Sequence, residues 1–334
     1  MILLSIVVGS IPSPSRNGIS IGPFDLRAYG LMIAFGVIAA VWLLGRQLVR
    51  KGIGTPDDAS AIAVWSVVAG IIGARLYHVA TDWHRFSGNL GAIPKIWEGG
   101  LGIPGGLLAG ILMGAWQAKR RNIPVGMLLT CAAPAIPLAQ AIGRWGNWFN
   151  QELFGRPTDL PWALEIDDKY LPDGYASGTT FHPTFLYESL WNLALVGVLL
   201  WIDRKLRLGP GRLLAVYVMG YGVGRFWIEG LRIDPATEVG GLRWNQWVAL
   251  AAIVGGAVYL VITHGKKWPE PVHAGAADNT GDIDARIDPA EGHADVEADD
   301  VASDRERDAD GSGEDDVGPQ GDDGRSSGDS IADV

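Results

Sequence analysis

The 334-residue sequence is poor in cysteine, since Cys131 is the only one. One cysteine excludes an internal disulfide framework of the kind that holds small secreted domains together. Cys131 lies in the apolar stretch LLTCAAP, which favours a small buried side chain over a nucleophile. The N-terminal stretch MILLSIVVGSIPSPS lacks the basic start and the small-residue cleavage site of a secretory signal. We therefore expect it to be retained, as a short interfacial or partly buried segment.

Acidic residues are scarce in most of the chain and crowded at its end. Residues 270–334 contain 21 acidic and 4 basic residues, a formal charge of −17, and the rest of the chain carries +7. This end is rich in Asp, Gly, Ala and Ser and cannot bury enough apolar surface to offset its chain entropy. The sequence predicts a folded domain over 1–265 and a disordered acidic tail over 266–334. A solvated extension is favoured over a regulatory segment.

Long apolar runs are abundant in the first 265 residues. A helix needs about 20 mainly apolar residues to cross the hydrocarbon core of a membrane. Seven runs fit this length, at about 28–45, 60–80, 101–118, 125–143, 184–203, 211–229 and 245–263. The predicted fold class is an all-α polytopic membrane protein with seven transmembrane helices. The connection 144–183 is long and contains LPWALEI, a candidate strand, so it is predicted to form a small head outside the bundle.

Lysine and arginine indicate the orientation of the bundle. Basic clusters follow the first, third, fifth and seventh runs, at Arg46, Arg50 and Lys51, at 119–121, at Arg204, Lys205 and Arg207, and at Lys266 and Lys267. All four clusters fall on one side of the membrane, which is cytoplasmic by the positive-inside rule. The N-terminus and the 144–183 head are then predicted outside, and the acidic tail inside.

Four groups of polar residues lie on the predicted outer side. The positive-inside rule does not explain the basic residues among them. They are RAYG with Tyr29, GARLYH with Arg75 and His78, GRWGNWFNQELFG at 143–155, and the pair HPTFLYES and GYGVGRFWIEGLR. Taken singly, Arg225 and Glu229 could be a simple helical pair, and Tyr29 or His182 could be interfacial anchors. Together they bring several arginines and carboxylates to one membrane face. Arginine suits phosphate, so the pattern indicates a site for a phospholipid headgroup, with a Tyr or His as possible base.

Three of these segments resemble signatures of the prolipoprotein diacylglyceryl transferase family. GRWGNWFNQELFG is similar to GR.GN..N.E..G, HPTFLYE to HP..LYE, and YGVGRFWIEGLR to GR..IE..R. RAYGLM is similar to the YG motif of the family's first span. The resemblance covers about residues 20–264, in the family's order, and leaves out the tail.

The resemblance implies a bacterial cell-membrane enzyme that needs no metal or cofactor and binds no nucleic acid. It would transfer the diacylglyceryl group of phosphatidylglycerol to the lipobox cysteine in a prolipoprotein signal peptide, forming a thioether and releasing glycerol phosphate. Arg144 and Arg225 would hold the lipid phosphate. The other residues implied for catalysis or lipid binding are Tyr29, Asn147, Glu152, Gly155, His182, Tyr187, Glu188, Glu229 and Arg232.

Two departures from the family pattern leave the proton acceptor open. Pro104 stands before Gly105 and Gly106, where many members have a histidine, and Phe185 replaces the glutamine of HP.QLYE. The base for the substrate thiol could then be His182 or Tyr29. Alternatively no base is needed, because neighbouring arginines lower the pKa of a thiol.

Two other functions compete with the transferase. Outer arginines could recruit an anionic lipid or solute to a transporter or flippase, although the halves show no internal repeat and the polar groups avoid the midplane. The body could also be a scaffold for a functional tail. A chain without residues 270–334 should keep nearly full transferase activity, which separates the scaffold from the enzyme.

Overall fold

The computed structural model describes residues 9–21, 24–206 and 208–265, so residues 1–8 and the predicted tail over 266–334 lie outside it. The described part is mostly helical. Its nine helices are α1 (Ala28–Arg50), α2 (Pro56–Thr81), α3 (Trp83–Phe86), α4 (Ile103–Arg120), α5 (Val125–Ala132), α6 (Ala135–Asn150), α7 (Thr184–Leu206), α8 (Arg212–Glu229) and α9 (Trp244–Ile262). Its strands are β1 (Gly18–Ile21), β2 (Phe24–Arg27), β3 (Leu164–Glu165), β4 (Thr180–Phe181), β5 (Glu238–Val239) and β6 (Leu242–Arg243), paired in three antiparallel hairpins.

Several of the helices have the length and apolar composition of transmembrane helices, which indicates a multi-pass membrane protein. Helices α1, α2, α7 and α9 are long and apolar enough to cross a bilayer, and α5 with α6 adds a fifth candidate if the bent pair is one span. Helices α4 and α8 occupy the other two predicted positions but are not among these candidates. The count of seven spans therefore stays a prediction.

The helices pack closely where glycines face a neighbouring backbone. A Cβ added at Gly36 of α1 would lie 2.8 Å from the carbonyl oxygen of Ala139 in α6. One added at Gly73 of α2 would lie 2.6 Å from the carbonyl oxygen of Gly105 in α4. Such small-residue contacts are the usual way for membrane helices to approach each other. They set the α1–α6 and α2–α4 pairs, of which α1, α6 and α4 line the candidate site.

The fourth predicted run, 125–143, is two helices in the structure. They meet at an angle of 40° across Ala133 and Pro134, where proline has no N–H to continue the helix. Helix α6 then continues to Asn150, seven residues beyond the predicted end of the run. The polar residues at the start of the predicted head therefore stand on a helix.

The predicted outer head, between α6 and α7, has a small core of its own. Strand β3, inside the predicted strand segment LPWALEI, pairs with β4 so that Leu164 faces Phe181. Both side chains are buried with Phe154, Ile166 and Phe185, the last of which belongs to α7. The head is thus packed onto the start of α7, which fixes the polar residues that follow His182.

Candidate functional site

A cavity of about 790 Å³ lies between α1, α4, α6, α8 and α9. Its polar lining includes Tyr29, Gln140, Arg144, Asn147, Arg225, Arg232 and Asn245. Its apolar lining includes Ile33, Ile103, Leu107, Val248 and Ala252. A cavity with cationic groups and an aliphatic wall suits an amphipathic anion.

Two arginines from different helices converge on one carboxylate at this cavity. Arg144 of α6 places Nη2 2.5 Å from Oε2 of Glu188, and Arg225 of α8 places Nη1 3.5 Å from Oε1 of the same residue. Glu188 stands on α7 and is buried. Because a buried carboxylate holds both guanidinium groups, their positions are set before any ligand binds.

Glu229 holds a second group of arginines. Its side chain is fully buried, and it lies 2.7 Å from Nη2 of Arg225 and 3.7 Å from Nη1 of Arg232. Nε of Arg243 lies 3.1 Å from Oε1 of Glu229. The Arg225–Glu229 pair is therefore part of a buried network and more than an exposed helical ion pair.

Asp234 closes the network outside the helices. It accepts a hydrogen bond from Nε of Arg232 at 2.7 Å and one from Nη2 of Arg243 at 3.0 Å. Burial alone would raise the pKa of Asp234, but the hydrogen bond and charge of Arg232, with the charge of Arg243, hold that pKa below its ordinary value. Asp234 is therefore an anion at neutral pH, and it keeps Arg232 in place beside the cavity.

The end of α6 is shaped by an unusual turn. Gln151 and Leu153 have φ values of 53° and 61°, a left-handed conformation that is uncommon for residues other than glycine. The turn brings Glu152 back toward the helix, where Oε1 accepts a hydrogen bond from Nδ2 of Asn147 at 2.7 Å. Asn147 in turn accepts one from Nη1 of Arg144 at 3.4 Å. Glu152 and Asn147 thus orient Arg144.

Two glycines of the same segment allow close approach. A Cβ added at Gly146 would lie 2.5 Å from Cδ2 of Tyr29, so glycine lets the Tyr29 ring lie against α6. A Cβ added at Gly155 would lie 2.8 Å from Cβ of His182. Gly155 also forms an antiparallel bridge with Arg232, and its N–H donates to the carbonyl of His182 at 2.9 Å. Gly155 therefore joins the head to the segments that carry His182 and Arg232.

His182 and Tyr187 contact each other and are not among the residues that line the cavity. Nδ1 of His182 lies 3.1 Å from the hydroxyl of Tyr187, which accepts a hydrogen bond from Nε1 of Trp162 at 3.1 Å. Burial, and then the charge of Arg156, lower the pKa of His182 from its ordinary value. The structure thus brings Tyr29 to the cavity and leaves His182 beside it, in the head.

Arg75 and His78 have a different task from the arginines of the cavity. Arg75 is buried and donates hydrogen bonds to the carbonyl oxygens of Ala92, Ile93 and Gly99, at 2.7 Å each. His78 lies 2.9 Å from Asp82. Arg75 therefore organises the loop that leads into α4, at whose second position Pro104 stands.

The sequence interpretation missed Arg243, Asp234, Asn245 and Gln140. Arg243 lies two residues before the seventh predicted run, on the side that the sequence predicts to be outside. Arg144 and Arg225 were identified because they are arginines next to apolar runs on the predicted outer side. The same criterion applies to Arg243. No equivalent signal exists for Asn245, because an asparagine at the first turn of a helix is common.

A family model described as prolipoprotein diacylglyceryl transferase matches residues 17–262. The chain is 48% identical over 284 residues to phosphatidylglycerol–prolipoprotein diacylglyceryl transferase 1 of Streptomyces coelicolor, covering 83% of this chain and 81% of the relative. It is 50% identical over 268 residues to the enzyme of that name in Frankia alni, covering 79% and 70%. It is 42% identical over 279 residues to the one in Corynebacterium glutamicum, covering 79% and 88%.

Proposed function

The chain belongs to the prolipoprotein diacylglyceryl transferase family, and we propose that the cavity beside Arg144 and Arg225 is its active site. There the enzyme transfers the diacylglyceryl group of phosphatidylglycerol to the cysteine thiol of a prolipoprotein signal peptide. One observation carries this proposal: the two arginines, on separate helices, are held at one buried carboxylate beside a cavity with an aliphatic wall. Such a site fits the phosphate and the first part of the acyl chains of a phospholipid together.

The reaction exchanges a carbon–oxygen bond for a carbon–sulfur bond. The sulfur of the substrate cysteine attacks the carbon of the diacylglyceryl group that is bonded to the phosphate oxygen. The bond from this carbon to oxygen breaks, and its electron pair leaves with glycerol phosphate. Negative charge grows on the phosphate oxygens as this bond breaks. Arg144 and Arg225 stabilise that charge because their guanidinium groups donate paired hydrogen bonds to phosphate oxygens and are already in position.

The thiol proton must leave before or during the attack. Tyr29 lines the cavity and is held against α6, whereas His182 does not line the cavity, so the geometry favours Tyr29 over His182 as the acceptor. A tyrosine accepts the thiol proton as its phenolate and becomes the neutral phenol. Ionisation of the thiol beside Arg144 and Arg225, with release of its proton to water, is the other route. Pro104, at the start of α4, has no titratable group and takes no part in this step.

The proposal includes an orientation for the chain. The outer head and the cavity face the outside of the bacterial cytoplasmic membrane, in a bundle of seven spans, and the acidic tail extends into the cytoplasm. Basic residues Arg46, Arg50 and Arg120 at the opposite helix ends support this arrangement. Prolipoproteins reach that outer face with their signal peptides in the membrane, beside the cavity.

A mass assay with a matched control tests the proposal. Purified protein, phosphatidylglycerol and a lipobox peptide should give a peptide heavier by one diacylglyceryl group. Arg144→Ala should lower the rate by about 100-fold or more, because one preorganised cation is lost from the transition state. Arg85→Ala, which removes an exposed arginine of α3, should leave the rate unchanged. Normal transfer by Arg144→Ala would contradict the site, and lipid movement across vesicles without a modified peptide would favour the transporter.

A further inference from the structure

Three amide side chains line the cavity, and two of them are engaged within the protein. The side-chain oxygen of Gln140 accepts a hydrogen bond from the hydroxyl of Tyr217 at 3.1 Å. The side-chain oxygen of Asn147 accepts one from Arg144 at 3.4 Å. The oxygen of Asn245 receives no hydrogen bond from any described residue. Among the amides that line the cavity in the described part of the chain, Asn245 is the one whose side-chain oxygen accepts no hydrogen bond.

The orientation of the Asn245 amide follows from its partner. Nδ2 of Asn245 lies 3.1 Å from Oε1 of Glu229. Glu229 lies within ion-pair distance of Arg225, Arg232 and Arg243, and a carboxylate paired with arginines accepts hydrogen bonds. The amide nitrogen must therefore face Glu229, which leaves the oxygen on the other side of the amide plane. Because Asn245 is exposed to the cavity, this oxygen is accessible to a ligand.

The Asn245 oxygen is a hydrogen-bond acceptor beside arginines, which are donors. The pair therefore suits a ligand that has both acceptor and donor groups. The guanidinium groups of Arg225 and Arg232 donate only, so they suit phosphate oxygens and leave a hydroxyl hydrogen without a partner. A phosphate oxygen would be repelled by the Asn245 oxygen, whereas a hydroxyl would donate to it. Arg225 forms an ion pair with one oxygen of the Glu229 carboxylate and Asn245 donates a hydrogen bond to the other, so the two side chains are adjacent.

We propose that Asn245 accepts a hydrogen bond from a hydroxyl of the lipid's glycerol headgroup and thereby selects a polyol phospholipid. The inference rests on the proposed function, because it names the part of the lipid that lies beside the phosphate. Arg243 is a positioning residue here, since it fixes the carboxylate that orients Asn245.

A matched pair of lipids tests this selection. Phosphatidylpropanol has the phosphate, the charge and the headgroup length of phosphatidylglycerol but no hydroxyl. One hydrogen bond corresponds to a preference of about three- to tenfold in kcat/KM for phosphatidylglycerol. Asn245→Leu should bring the ratio of the two kcat/KM values close to one. Asn89→Leu, an exposed asparagine that does not line the cavity, should keep the wild-type ratio.

The ratio is insensitive to the fraction of folded enzyme, since both lipids are tested on the same preparation. If Asn245→Leu does not fold, Asn245→Ala carries the same expectation. Equal use of the two lipids by the wild type, or an unchanged preference in the Asn245 variants, would overturn the inference. If the wild type used neither lipid, the proposed function itself would fail, and the inference with it.

Discussion

Glu229 is the residue on which the charge balance of the cavity depends most. Its fully buried carboxylate lies within ion-pair distance of Arg225, Arg232 and Arg243. Glu229→Gln keeps the shape of the side chain but leaves buried guanidinium groups without a counter-charge. We expect the free energy of unfolding to fall by about 3 kcal/mol, because the loss of one partner of a buried ion pair is expensive. Thermal unfolding in detergent micelles measures it.

Glu238→Gln is the matched control, since this glutamate is exposed on β5 and forms no ion pair with a described residue. Its midpoint of unfolding should equal that of the wild type. Equal midpoints for Glu229→Gln and Glu238→Gln would show that the arginine network does not depend on the Glu229 charge.

His182 gives the outer head a dependence on pH. Burial, and then Arg156, lower the pKa of folded His182 below the ordinary value of about 6.5. Between these two pKa values the unfolded chain binds more protons, so the stability from neutral His182 is present above about pH 6.5 and is lost as the pH falls through the folded pKa. The unfolding midpoint of the wild type should fall between about pH 7.5 and pH 5 more steeply than that of His182→Gln. His264→Gln, at an exposed position after α9, should keep the wild-type slope, and equal slopes for all three proteins would refute this role.

At the scale of elements, the sequence predicts which segments are helical better than where they end. Hydropathy marks where apolar residues stop, but a helix continues as long as its backbone hydrogen bonds and caps are favourable. Helix α6 therefore carries Arg144 and Asn147 beyond the apolar run and ends only at the left-handed Gln151. The sequence predicts one run over 125–143 and does not show the break at Pro134, because membrane helices tolerate proline with or without a kink.

Only part of the candidate site could be predicted from the sequence, because the rest depends on contacts in space. Motif spacing identified the charged members, such as Arg144, Glu188 and Arg225, because charge near a membrane core is informative by itself. It could not separate Arg75, which bonds to loop carbonyls, from the arginines of the cavity, since that depends on tertiary contacts. Nor could it find Asn245, whose meaning comes from its neighbour Glu229 in space.

The far ends of α1 and α7 are joined by a separate ion cluster. Asp203 is almost fully buried and contacts Arg50 and Lys51, with 2.7 Å between Oδ1 and the Lys51 nitrogen. Asp203→Asn should lower the free energy of unfolding by about 2 kcal/mol, because hydrogen bonds to a charged group are lost. The KM for phosphatidylglycerol should not change, since Asp203 stands about 22 Å along α7 from Glu188. Thermal unfolding and transfer kinetics measure the two effects, with exposed Asp173→Asn as control; a changed KM would mean that the cluster acts on the cavity.

For the whole molecule, the asymmetry of charge is the main argument for orientation. The arginines of the cavity lie at one end of the bundle and are paired with buried carboxylates. The other end carries Arg46 and Arg120, which stack on Trp42 and Trp116, and also Arg50 and Arg121, which pair with Asp203 and Asp58. A high density of Lys and Arg at the helix ends is typical of the cytoplasmic face. In the orientation that we propose, the head and the substrate's cysteine are on the same side of the membrane.

The single cysteine makes this orientation easy to test. Cys131 is buried, so a membrane-impermeant maleimide should not label the unmodified chain in intact cells. Asp159→Cys adds a thiol on the exposed outer head, and Lys119→Cys adds one at the exposed end of α4. We expect the reagent to label Asp159→Cys in intact cells and Lys119→Cys only after the membrane is opened, because the two positions lie on opposite sides of the bilayer. Transfer activity of both variants serves as the control for folding, and the reverse labelling pattern would place the cavity on the cytoplasmic side.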